Sequence, residues 1–183
     1  MPIAAFLSTA VVVMLSGVAV AQSSPPFYVN TEYRFAAIFP GEPLAADVTY
    51  TNASGDSYPA RQFVALQDSN RHVVTVVDIS TGLPIDLNLV EHATDELRRK
   101  GEVRFQAYDD YDPGVPGRQL NIFEADGRQL RASVYMWDHR LYITEATGVP
   151  GTPSLLQFEQ SITILNADGS EVNLDGDGDG RGP

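Results

Sequence analysis

The 183-residue sequence predicts an α+β fold, an antiparallel β-sheet flanked by helices. Three observations predict it. Short alternating or β-branched runs recur along the chain, joined by turns too short for parallel crossovers. The period becomes helical only over residues 84–100 and again after Thr152. One run, Val73-Val74-Thr75-Val76-Val77, is almost continuous in β-branched residues, as a central strand buried on both faces should be.

The elements follow in order. Residues 33–39 (YRFAAIF) read as a strand that stops at Pro40-Gly41-Glu42-Pro43. Residues 44–52 alternate, with Val48 and Tyr50 against polar neighbours. Residues 58–67 and 72–79 are two more strands around Asp68-Ser69-Asn70. Over 84–100, Val90, Ala93 and Leu97 fall on one helical face, with Asp86 or Asn88 as cap. Acidic residues precede Arg98-Arg99-Lys100, and Gly101 follows, as the helix dipole favours. Strands are then expected at 102–108, 117–124, 129–137 and 140–146, with hairpin turns at Ala125-Asp126-Gly127 and Asp138-His139. Thr152 caps a short helix with Pro153 in its first position and Leu155, Leu156 and Phe158 as its apolar face. Ile162 to Leu165 closes the sheet, and no core-forming pattern follows.

The termini read differently from this body. Met1 to Ala21 carries no charged side chain and ends in Ala19-Val20-Ala21, a small-x-small pattern before Gln22. It reads as an export signal, residues 1–21, cleaved between Ala21 and Gln22. The run is also long enough to raise a membrane-tethered alternative, an uncleaved anchor. Residues 22–31 read as a linker, 32–166 as one domain, and 167–183 as a flexible acidic tail. The chain holds 12 Lys+Arg against 24 Asp+Glu, a net charge of −12. The tail carries five acids against Arg181, which leaves −8 on residues 22–166. That balance excludes a phosphate-tracking nucleic-acid binder. The absence of cysteine removes disulfides, thiolate metal sites, a cysteine nucleophile and a lipid-modified cysteine anchor. Contact with a membrane is then expected only through the N-terminal segment before cleavage.

Several motifs group together. Tyr33-Arg34-Phe35 leads to Phe39-Pro40-Gly41-Glu42-Pro43. Further on come Pro116-Gly117-Arg118-Gln119-Leu120, Arg131 with Val134-Tyr135, Arg140-Leu141-Tyr142, and Phe158 with Ser161-Ile162. In these the chain, over about residues 33–165, resembles PsbP-like domains, the fold of a photosystem II extrinsic subunit and of several exported bacterial proteins. The resemblance implies an α/β/α sandwich and an accessory or binding role, largely without catalysis. It carries over no catalytic residue, because turn geometry and cross-strand packing account for its motif positions.

Candidate chemistry is sparse. No G-x-S-x-G, S-x-x-K, P-loop or close histidine pair occurs, and His72, His92 and His139 can converge only through the fold. A hydrolase assembled from loops is the enzymatic alternative. The loop Tyr108-Asp109-Asp110-Tyr111-Asp112 places three carboxylates among two tyrosines. It reads first as a solvated connection, and it is also the first choice for a ligand-facing surface. Asp175, Asp177 and Asp179 alternate with glycine as in the front half of a calcium loop, D-x-D-x-D-G. The sequence stops at the ninth position of such a loop, short of its bidentate glutamate. A solubilising tail is the first interpretation there. Asn52-Ala53-Ser54 is a glycosylation sequon. No cofactor is expected, and the expected partner is a protein or small ligand at the cell envelope, of unknown identity.

Overall fold

The computed structural model describes residues 27–52, 54–79 and 87–173. The export segment with Ala19, Ala21 and Gln22, and the aspartates Asp175, Asp177 and Asp179, lie outside them. In chain order the elements are β1 (Tyr28–Asn30), β2 (Phe35–Ala37), β3 (Leu44–Thr51), β4 (Ser57–Gln67), β5 (Asn70–Asp78) and α1 (Leu87–Arg98). They continue as β6 (Gly101–Tyr108), β7 (Gly117–Glu124), β8 (Gln129–Trp137), β9 (Arg140–Gly148), α2 (Pro153–Gln160) and β10 (Thr163–Ile164).

Seven strands form one antiparallel sheet in the order β3-β4-β5-β9-β8-β7-β6. The valine-rich β5 lies inside it, and Val73, Val74, Val76 and Val77 are all buried. Helix α1 covers one face through Val90, Ala93 and Leu97. Helix α2 and a small sheet, β1-β2-β10, cover the other. The result is a sheet with a layer on each side, the arrangement that buries both of its faces. At the β8–β9 turn, Asp138 and His139 both have positive φ, the backbone that a two-residue hairpin demands.

Four expectations are corrected. Tyr28–Asn30, read as linker, is a strand, because its backbone pairs with β2 and the Tyr28 ring packs on Phe35, Phe39 and Phe63. The tail does not begin at 167. Residues 166–173 turn back over β10: the Val172 N–H donates to the Ile164 carbonyl at 2.9 Å, and Val172 is buried in the core. A single valine gave no periodic pattern from which to see this. On α2, Leu156 faces outward and Glu159 takes its expected place inside. Thr152 stands at the N-cap without a side-chain cap bond, since its hydroxyl donates to the Val149 carbonyl at 2.8 Å.

Gly101 has a different purpose from ending α1. It already belongs to β6, and a Cβ there would run into the backbone of Phe123 and Glu124 on β7. The basic residues at the end of α1 are neutralised locally. Arg98 pairs with Asp95, Arg99 with Glu96 and Lys100 with Glu145. That is the expected solvated, dipole-compatible last turn.

Candidate functional site

Strand alternation sends every second residue of the sheet towards α2. The register aligns His72, Ala146 and Arg131 in one row across β5, β9 and β8. The small Ala146 lies between two large polar side chains. Neighbouring α2 residues meet those two side chains. Phe158 packs edge-on against the His72 ring at 5.1 Å, and Glu159 pairs with Arg131.

The Glu159 carboxylate is wholly buried. One oxygen accepts from Arg131 Nε at 3.2 Å and Nη2 at 3.1 Å, and the other, Oε1, has no partner. Burial raises its pKa, and the attraction of Arg131 offsets this only in part. His72 is buried, and burial lowers its pKa. The imidazole is therefore held neutral at ordinary pH.

Next along the sheet, the Tyr135 hydroxyl donates to Asp109 Oδ2 at 3.2 Å. Burial, then the charges of Asp109 and Glu159, push that phenol upward. Gly117 makes the arrangement possible, because a Cβ there would strike the Tyr135 ring and the Asp109 carbonyl. This is the physical reason for a glycine in the Pro116-Gly117-Arg118 motif.

Asp109 is the first residue of the acidic loop, and the loop is pinned at several points. The Tyr111 ring stacks edge-on against Tyr135 at 5.6 Å. Its hydroxyl donates to Glu171 Oε1 at 2.9 Å and accepts from the Ile164 N–H at 3.3 Å. The Tyr111 N–H reaches the Val115 carbonyl at 3.1 Å, and the Val115 N–H returns to Asp112 at 2.8 Å. Val115 itself is fully buried and anchors the loop. A groove of about 510 Å³ lies alongside, bordered by Tyr111, Asp112, Gln160, Thr163, Glu171 and Asn173.

The fold splits the expected ligand-facing set. Asp109 and Tyr111 turn inward as anchors on the α2 side. Tyr108 belongs to the other face: it lies opposite Arg118 in the β6–β7 ladder, and that guanidinium stacks on its ring at 3.6 Å. Tyr108 is nevertheless 79% exposed, and Asp110 is exposed near the start of the loop.

The histidines do not converge. His72 lies under α2, His92 rides α1 on the opposite face beside Tyr50, and His139 sits in the β8–β9 turn. Among the described residues no cluster of three or more His, Asp or Glu is placed to hold a metal ion. Asn52 of the sequon is engaged in its turn, its Oδ1 accepting from the Ser54 N–H at 3.0 Å and the Asp56 N–H at 2.9 Å.

Two features escaped the sequence. One is the Glu159–Arg131 pair. Glu159 is four residues after Leu155 and one after Phe158, on the apolar stripe of α2, and that position was the available signal. The other is His72 meeting α2, which only the pairing of β5 with β9 reveals.

No protein-family model matches the sequence, and no curated protein matches it. Among solved structures, the chain is similar to cyanobacterial PsbP (CyanoP) from Synechocystis sp. PCC 6803, at 15% identity and a TM-score of 0.51. That likeness covers 82% of this chain and 98% of the other. It is also similar, at 13% identity and a TM-score of 0.33, to PA94, a protein of unknown function from Pseudomonas aeruginosa. The second likeness covers 57% of this chain and 83% of that one, and at such a distance it carries no weight. The first shows that the fold is PsbP-like, as the sequence motifs implied.

Proposed function

We propose that this protein is an exported, non-enzymatic accessory domain that binds a partner at the cell envelope. One observation carries the binding role: the acidic loop is a preformed surface. Asp109, Tyr111 and Val115 fasten it to β8, β10 and the 166–173 turn, so Tyr108 and Asp110 are displayed on a fixed frame. A surface ordered in advance loses little conformational entropy when a partner settles on it. The PsbP-like fold supports the accessory role by analogy of fold.

Export rests on the sequence of Met1 to Ala21, an uncharged apolar segment with a small-x-small end. Mass spectrometry of the native N-terminus tests it. A chain that begins at Gln22 supports the proposal, and a chain that begins at Met1 in the membrane fraction contradicts it. Isothermal titration of a candidate envelope partner against wild type and Asp110→Lys tests the surface. Reversing that charge is expected to weaken binding about threefold to fivefold, the scale of one exposed charge contact. Equal affinity for the two chains would remove the loop from the interface.

A further inference from the structure

A second, smaller pocket shares no lining residue with the groove beside the acidic loop. It lies where α2 begins, over β5, with a volume of about 370 Å³. Its polar walls are Gln67, His72, Ser154 and Gln157, and Ile38 and Pro40 add apolar surface. No charged side chain borders it.

Two of its polar groups are unsatisfied. His72 Nδ1 and Ser154 Oγ are buried and have no hydrogen-bond partner. Orphaned buried polar atoms are uncommon in folded proteins, and each destabilises the fold unless something pairs with it. His72 interacts with the Ala65 backbone opposite it in the β4–β5 ladder. A neutral imidazole presents Nδ1 as a donor or as an acceptor, according to its tautomer. The Ser154 hydroxyl both donates and accepts, and so does each glutamine amide at the rim.

We propose that this pocket binds a small uncharged polyhydroxyl ligand, a sugar of one or two rings. A hydroxyl group donates and accepts at once, which suits His72 Nδ1, Ser154 Oγ and the two amides together. The absence of a charged wall disfavours ionic ligands, because their desolvation would go uncompensated. Pro40 and Ile38 meet the C–H surface of a ring, as in most small-molecule sites. Gln67 and Gln157 are exposed, and binding requires a side-chain movement that gives a ligand access to the buried Nδ1 and Oγ atoms.

The test titrates the full chain, labelled at its histidine nitrogens, with glucose, N-acetylglucosamine and trehalose. Glucuronate and glucosamine serve as charged comparators. The expected result is a saturable movement of the His72 Nδ1 resonance with one or more neutral sugars. The charged sugars should bind about tenfold more weakly. Ser154→Ala and Gln157→Ala should each reduce affinity about threefold to tenfold, the scale of one hydrogen bond, with unfolding temperature preserved. Failure of all three neutral sugars to move His72 up to about 100 mM, far above a millimolar Kd, overturns the proposal. Equal binding of charged sugars, or binding unchanged in both variants, also overturns it.

Discussion

Under α1 the sheet is packed mainly with aliphatic side chains, Leu, Val, Ile and Met, and Tyr58 is the one buried aromatic of that cluster. Under α2 the cluster holds Phe35, Phe39, Phe63, Tyr135, Tyr142 and Phe158. It also lies against His72, Arg131 and Glu159, with Ser133 and Thr144 sharing a 2.5 Å hydrogen bond between them. Among the described residues six buried polar atoms have no partner, and of these Tyr50 Oη and Arg118 Nε are on the α1 side. Those of His72, Tyr142, Ser154 and Glu159 are on the α2 side. Aliphatic packing needs only shape and volume. Polar groups buried without partners weaken a fold, and folded proteins retain them chiefly where they serve a site. The α1 side of the sheet is accordingly the more uniformly apolar layer, and the α2 side holds most of the buried polar groups.

The largest expected effect sets the two faces against each other. Phe158→Ala removes a ring that touches both Phe39 and His72 and should lower stability by about 3–5 kcal/mol. Leu97→Ala on the α1 face should cost about 2–5 kcal/mol by cavity formation alone. Urea unfolding measures both. The comparison sharpens if the His72 side-chain resonance moves in the first variant and stays in the second. Gly117→Ala comes next, at about 1–3 kcal/mol, because the new Cβ must displace the Tyr135 ring or the Asp109 carbonyl. Amide exchange should then quicken along loop 109–116. Tyr111→Phe removes the bonds to Glu171 and Ile164 and should cost about 1 kcal/mol. Its signature is faster exchange at the Ile164 N–H and looser attachment of residues 166–173.

The smallest effect at neutral pH is expected for Glu159→Gln, within about 1 kcal/mol. Its value lies in the pH dependence. Burial raises the Glu159 pKa in the fold, so folding favours its protonated form more than the unfolded chain does. The contribution is fully present below the unfolded pKa of about 4.3 and is lost as pH rises through the folded value. Relative to Glu159→Gln, wild type should therefore lose stability with rising pH across that window. Parallel stability curves would show that Glu159 and Arg131 remain a fully charged pair throughout.

Much of the scaffold was legible because periodicity reports burial. Val90, Ala93 and Leu97 marked the α1 face, and the valine run marked β5. The α2 face was less legible because its key meetings are non-local. His72 and Arg131 are far apart in sequence, and only strand order brings both beneath one helix. Tyr111 and Glu171 likewise lie on segments that no local pattern joins. The acidic loop was visible as composition, but its division into inward anchors and outward Tyr108 depended on the strand register at Arg118. Short pieces such as Tyr28–Asn30 and Val172 were hidden because two or three residues are too few to show a period.

Site-specific photo-crosslinking tests the proposed partner surface on the acidic loop most directly. A photoreactive residue is placed at Asp110, on the exposed acidic loop, and separately at Glu96, on the exposed side of α1. Each full-length variant is irradiated in intact cells, and adducts are identified by mass. The account predicts one defined adduct from position 110 and none from position 96. A defined adduct from position 96 with none from 110 would contradict it.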